Sequence, residues 1–241
     1  LDKYKTDKTK ALIINSPSNP TGSVYNRGEL QDIADWAVKN NIFVISDELY
    51  EKLVYDDEEH ISIASLNYDI KRLTIVVNGM SKAYAMTGWR IGYTACHEKI
   101  TKIMANIQSH TTSNPSSISQ YASVEGLLGD QTSIFQMRDE FDRRRKRMVE
   151  LINDIKDLSC LNPKGAFYVM LNSSQYYGRE VEGMKIENSV DFTNLLLDKC
   201  KIAVVPGIAF GDDNYVRLSY ATSMENIEKG LERVKNLLGA K

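Results

Sequence analysis

Short apolar runs alternate along this chain with longer segments whose apolar residues recur at helical spacing. "ALIIN" (11–15), "IFVISDE" (42–48) and "RLTIVVN" (72–78) read as buried strands. Continuous apolar runs of this length, bounded by turn residues, suit the interior of a parallel sheet. "GWRIGYTAC" (88–96) places Trp89, Ile91 and Tyr93 at every second position and reads as a fourth strand. Between the first two lies "NRGELQDIADWAVKNN" (26–41), where Leu30, Ile33, Ala34, Ala37 and Val38 mark one face of a helix. "SPSNPTG" (16–22) is a loop, broken by two prolines and a glycine. Further helices are expected over about 98–109 and 115–128.

A long polar helix follows, "SIFQMRDEFDRRRKRMVELINDI" (133–155), with Met137, Phe141, Met148 and Leu151 as its apolar stripe. Its "RRRKR" reads as a solvated face rather than a nucleic-acid contact. Beyond it come "GAFYVML" (165–171), a helix over 189–200, "IAVVPG" (202–207), "YVRLSYA" (215–221) and a closing helix over 224–238. The pattern predicts an α/β domain with a mainly parallel sheet over 1–135 and a smaller α+β domain over 136–241.

Composition narrows the class. The chain has 241 residues, 42% apolar and 26% charged, with a net charge of −2, the profile of a globular protein without a basic excess for nucleic acid. No apolar run is long enough for a membrane span. Cys96, Cys160 and Cys200 are odd in number and far apart, which suits a reducing cytoplasm and argues against a disulfide framework. His60, His97 and His110 show no metal-ligand spacing, so no metal is expected.

Candidate chemistry gathers where strands end, the rim on which parallel α/β sheets bind ligands. Asn19 lies just beyond the first strand, Asp47 closes the second with Tyr50 three residues on, and Ser81 and Lys82 follow the third. Arg90 stands in the next segment. A lysine amine among apolar neighbours and other cations loses stability in its charged form and can attack a carbonyl. A carboxylate can keep a heterocyclic nitrogen protonated, and arginine with serine can hold a phosphate. These are the needs of pyridoxal 5'-phosphate: an aldehyde for Lys82, a pyridine nitrogen for Asp47, a phenolic oxygen for Tyr50 and Asn19, and a phosphate for Ser81 and Arg90.

The segments "NSPSNPTG", "SDELYEKLVYD", "NGMSKAYAMTGWRIGY", "GAFYVML" and "VRLSYA" resemble those of the fold-type I, class I pyridoxal-phosphate aminotransferases, most closely the bacterial-type aspartate aminotransferases. The resemblance runs from about Ala11 to the C-terminus. It implies that Lys82 forms the Schiff base with the cofactor (the internal aldimine) and later moves the substrate proton, that Asp47 faces the pyridinium nitrogen, and that Tyr50 and Asn19 bond the phenolic oxygen. It gives Ser81 and Arg90 to the phosphate, and Arg217 to the substrate α-carboxylate, with Asn19 beside it. It also implies a cis Asn19–Pro20 bond, and transfer of an amino group between an amino acid, aspartate by overall likeness, and a 2-keto acid such as 2-oxoglutarate. A homodimer is implied for the full-length protein, with "SHTTSNPSS" (109–117) near the neighbouring site.

The resemblance starts inside the family pattern, so the chain reads as the C-terminal part of a longer protein, with both sheet edges unpaired and poor activity on its own. Other readings are a different reaction on the same fold, such as a lyase or racemase, and a non-catalytic, cofactor-sensing module of a regulator.

Overall fold

A computed structural model of the chain describes residues 1–239, which form two compact units. The first comprises residues 1–17 and 23–136, the second residues 18–22 and, among the described residues, 137–239.

In the first unit, strands β1 (Ala11–Asn15), β2 (Phe43–Asp47), β3 (Thr74–Gly79) and β4 (Gly92–Ala95) lie side by side in chain order. The first three are parallel and β4 is antiparallel to β3. Helix α1 (Arg27–Asn40) begins in a reciprocal capping box, with Glu29 N donating to Asn26 Oδ1 (3.0 Å) and Asn26 N to Glu29 Oε2 (2.9 Å). It ends at Asn41, whose left-handed φ of 53° turns the chain into β2. Its inward face, Leu30, Ala34 and Ala37, is buried with Ile14, Val44, Ile63 and Ile70 in one apolar cluster. Fully burying side chains of this size contributes about 1.5–3 kcal/mol for each large one, and this cluster fixes the sheet whose strand ends carry the polar groups.

Two boundaries differ from the sequence expectation. Arg72 and Leu73 end a short helix, α2 (Tyr68–Leu73), because the Asn67 side chain accepts from Asp69 N and Ile70 N and caps it. The alternation at Trp89 and Ile91 does not make a strand: Thr87–Trp89 is a 3-10 turn and Arg90 sits at φ 50°. Extended structure resumes only at Gly92, whose backbone comes so close to Gly79 that an added Cβ on Gly79 would meet Gly92 Cα at 2.9 Å.

Two helices complete the unit, α3 (Glu98–Thr111) and α4 (Ser117–Leu128). They leave Ile103, Ile107, Ile118, Tyr121 and Leu128 exposed. Among the described residues, no further strand pairs with the outer edge of β1 or β4.

Helix α5 (Thr132–Asn153) leads into the second unit. There β5 (Ser159–Cys160), β6 (Tyr168–Asn172), β9 (Val205–Pro206) and β10 (Tyr215–Ser219) form an antiparallel sheet in the order β5-β6-β10-β9. The apolar run over 202–207 supplies only two strand residues, the chain turning at once into a 3-10 segment at Gly207–Phe210. A hairpin, β7 (Arg179–Val181) and β8 (Met184–Ile186), turns at Glu182 and Gly183, both with positive φ, as a two-residue hairpin loop requires. Helix α6 (Ser189–Cys200) is capped by Asn188 and α7 (Met224–Leu238) by Ser223.

The basic run of α5 is mostly the solvated face expected. Arg143 and Arg144 pair with Glu140, Lys146 with Asp142, and Arg147 with Glu150 and Glu228. Arg145 is the exception, with none of its surface exposed. Of the described helices, none is long and apolar enough to cross a membrane.

Candidate active site

The register of the first sheet aligns the polar residues the sequence singles out. Asp47, the last residue of β2, lies opposite Asn15 on one side and Val77 on the other. Its carbonyl accepts from Ser16 N (3.2 Å) and Asn15 Nδ2 (3.1 Å), and its carboxylate Oδ1 from Leu49 N (3.2 Å). The turn that follows is tied down: Glu48 N donates to Val77 O (2.9 Å), Glu51 N to Glu48 O (2.9 Å) and Leu53 N to Tyr50 O (2.8 Å). Tyr50 is thereby buried, 4% exposed.

Lys82 follows β3 in a turn closed by Ala85 N donating to Lys82 O (3.2 Å) and Met86 N to Met80 O (3.2 Å). Buried Met80 and Ala83 flank it. The half-buried Lys82 side chain places Nζ 5.8 Å from the centre of the Tyr50 ring, within reach of a cation–π contact. The structure therefore brings Lys82 and Tyr50 together beside the strand that ends in Asp47.

Ser81 and Arg90 line one cavity of about 510 Å³, with Asn78, Gly92, Tyr93 and Thr94. Arg90 is exposed and donates from Nη1 to Thr87 O (2.7 Å), which engages one arm of a planar five-donor fork. Burial pushes the Tyr93 hydroxyl above its ordinary value, and Glu51 adds to the rise, so it keeps its proton at neutral pH. The donor set fits pyridoxal phosphate: an amine, a strand-end carboxylate, a phenol, and an arginine and a serine on a shared cavity.

Beneath this loop sits a network the sequence did not reveal. Glu48 is 3% exposed, and its Oε1 accepts from Ser46 Oγ and Ser62 Oγ, both at 2.8 Å. Its Oε2 meets His60 Nε2 at 3.1 Å. Glu48, Glu51 and His60 place one ligand atom each within 4.8 Å of one another, and Glu48 already accepts at both carboxylate oxygens from these donors.

Burial alone would push the Glu48 carboxyl up; the bonds from His60, Ser62 and Ser46 outweigh it and hold the group below the ordinary value of 4.5. A carboxyl depressed on folding contributes stability that is fully present above its unfolded value and lost as pH falls through the folded one. Glu48→Gln should therefore cost about 1–3 kcal/mol at pH 7. The gap to the unaltered protein should narrow as the medium is acidified below 4.5. Thermal unfolding against pH checks this, and a gap that stays constant with pH would count against it.

The second unit carries the other two residues singled out. Asn19 lies in the Ser18–Gly22 segment, closed by Gly22 N donating to Ser18 O (2.9 Å). The Asn19–Pro20 bond is cis, as the resemblance implies, and so is Ser16–Pro17. Arg217 is on β10, an inner strand flanked by β6 and β9. Its guanidinium stacks against Tyr168 (4.5 Å) and Phe210 (4.8 Å), and Nη1 donates to Asn19 Oδ1 at 2.6 Å. Two rings and an amide thus surround the guanidinium, whose planar fork of donors suits a carboxylate. Tyr168 and Phe210 were not legible as partners in the sequence, since apolar spacing says nothing of what a ring stacks on.

A mixed sheet with an amine-bearing turn at its parallel strand ends, and a separate α+β unit carrying a clasped arginine, defines the α/β class of fold-type I transferases. Residues 1–234 match the family Aminotransferase class I and II, and the chain belongs to that family. It is 47% identical over 230 residues to an aspartate aminotransferase of Bacillus sp. (strain YM-2), covering 95% of this chain and 57% of that protein. Among solved structures, the aspartate aminotransferase from Rhizobium meliloti superposes with a TM-score of 0.94 at 39% identity, over 97% of this chain and 59% of that one. The aromatic aminotransferase from Pyrococcus horikoshii OT3 gives 0.91 at 43% identity, over 98% and 62%. The chain thus spans less than two thirds of each of these relatives.

Proposed function

We propose that the full-length protein is a pyridoxal-phosphate-dependent aminotransferase that moves an amino group between an amino acid, aspartate first, and a 2-keto acid such as 2-oxoglutarate. One observation carries this reading: the Lys82 amine lies over the Tyr50 ring, in the turn beside the strand that ends in Asp47. When bound, the cofactor supplies an aldehyde for amine capture and a ring that accepts electrons.

The chain's own residues do the rest. Lys82 Nζ would anchor the group and would take and return the proton at the substrate Cα. Asp47, its Oδ1 oriented by Leu49 N, would keep the ring nitrogen protonated. Tyr50 and Asn19 hold the phenolic oxygen, and Ser81 and Arg90 take the phosphate through hydroxyl and guanidinium. Arg217, surrounded by Tyr168, Phe210 and Asn19, takes the substrate α-carboxylate. The relatives' names point to both aspartate and aromatic substrates; aspartate is put first on overall likeness.

A cytoplasmic location agrees with three free cysteines, and a homodimer agrees with the exposed apolar residues of α3 and α4. A first domain over 1–135 carrying the cofactor and a second over 136–241 go with this reading, except that residues 18–22 group with the second unit.

The experiment is an acceptor-dependence assay on the full-length protein. Aspartate should yield a keto acid only when 2-oxoglutarate is added, with glutamate formed in equal amount. Keto acid released without an acceptor would replace transamination by a lyase reaction.

A further inference from the structure

Arg145 is the largest fully buried side chain among the described residues, yet it lies in a run of basic residues that otherwise face solvent. Arginine is almost never fully buried unless its donors are satisfied. Here Nε and Nη2 donate to Asp142 Oδ1 at 2.8 and 2.6 Å, and Nη1 donates to Asn162 Oδ1 (2.8 Å) and Pro163 O (2.9 Å). The guanidinium thus ties α5 to the Asn162–Gly165 turn.

That turn leads by two arms to Arg217. On one, Lys164 N and Gly165 N both donate to Gly22 O, at 2.9 and 2.8 Å. Gly22 has φ +70° and packs so tightly that an added Cβ would stand 2.4 Å from Pro163 Cβ and 2.9 Å from Gly165 O. Gly22 closes the loop that holds Asn19, whose Oδ1 receives the Arg217 bond. On the other arm, the chain runs from Gly165 into β6 and Tyr168, the ring on which Arg217 stacks. Both the amide and one of the rings that aim the Arg217 fork are therefore seated on a turn pinned by Arg145.

We propose that Arg145 is a positioning residue for carboxylate recognition: through the Asn162–Gly165 turn and the Gly22 loop it sets the orientation of Asn19, and through Asn19 that of Arg217. This rests on the role assigned to Arg217 above. A lysine offers a point charge where four bonds fan out in a plane, so it cannot hold the turn in the same place.

The test uses the full-length, cofactor-loaded protein and the variants Arg145→Lys, Gly22→Ala and Asn19→Ala, alone and combined. Succinate is titrated by calorimetry, and KM and kcat for aspartate, the visible absorption band and the thermal midpoint are recorded. Arg145→Lys should weaken succinate binding and raise KM about tenfold, the scale of a small misplacement of a binding group, with a smaller change in kcat and the visible band still present. Gly22→Ala, which drives the loop from Pro163 without touching the buried charge, should give the same split. Added to Asn19→Ala, either change should weaken succinate by less than about twofold more, since residues acting in series are not additive.

Unchanged succinate binding in Arg145→Lys and Gly22→Ala, or full additivity with Asn19→Ala, overturns the proposal even where the thermal midpoint falls. Should Arg145→Lys fail to fold, the Gly22→Ala and Asn19→Ala cycle decides by the same criterion. An unaltered protein that binds succinate but does not transaminate overturns the proposed reaction, and the titrations still decide the role of Arg145.

Discussion

Replacing Lys82 with alanine in the full-length protein is expected to lower transaminase turnover by at least about 10³-fold while leaving the fold intact. The loss has two sources, the covalent anchor and the proton carrier, and positioned proton transfer alone is worth about 10²–10⁴-fold. The half-buried Lys82 side chain lies outside the apolar core of the first unit, so its removal leaves no cavity there. Borohydride reduction of the cofactor-loaded protein, then peptide mapping, gives a readout independent of rate: the tag should fall on Lys82 and vanish in the variant. Turnover within tenfold of the unaltered protein, or a tag on another lysine, would remove the basis of the functional reading.

The second large effect belongs to Arg217. Arg217→Lys should raise KM for aspartate about 100-fold with a smaller change in kcat, because a lysine cannot make the two parallel bonds that a carboxylate accepts from guanidinium. Each hydrogen bond to a charged group contributes about 1.5–3 kcal/mol, and a 100-fold change is about 2.8 kcal/mol, so it takes one bond at the top of that range or the loss of both. The stacking on Tyr168 and Phe210 is lost with it. Steady-state kinetics with aspartate and 2-oxoglutarate separates the two constants, and a KM within threefold of the original would exclude Arg217 as the carboxylate ligand.

Much of the first sheet was readable because local chemistry agrees with tertiary structure. Asn26 with Glu29 fixes the start of α1, Asn188 and Ser223 fix α6 and α7, and the apolar spacing of Leu30, Ala34 and Ala37 matches the face that is buried. The segment over 88–96 misled because Trp89, Ile91 and Tyr93 alternate as a strand would, while Arg90 takes a left-handed backbone that period-2 patterning cannot register. Asp47, Tyr50, Ser81 and Lys82 stood out because they end or closely follow strands, and Arg90 because it stands in the segment just before β4.

Arg145, Glu48 and His60 did not stand out. Their partners lie 12 to 18 residues away for the contacts that matter, as with His60 to Glu48 and Arg145 to Pro163. A buried ion or hydrogen-bond knot looks in sequence like any other polar surface. Burial and geometry, not residue type, distinguish Arg145 from the four basic neighbours that face water.

The backbone passes between the two units three times, at 17/18, 22/23 and 136/137, because five residues that follow β1 belong with the C-terminal half. No single cut therefore yields an intact second unit. A polypeptide expressed as 137–241 would leave Lys164 N and Gly165 N without the Gly22 carbonyl they share, and Arg217 Nη1 without Asn19. Dissecting this molecule by conventional truncation would strip the arginine of its guide; supplying 18–22 in trans, or relocating it by circular permutation, is what an isolated second half would need.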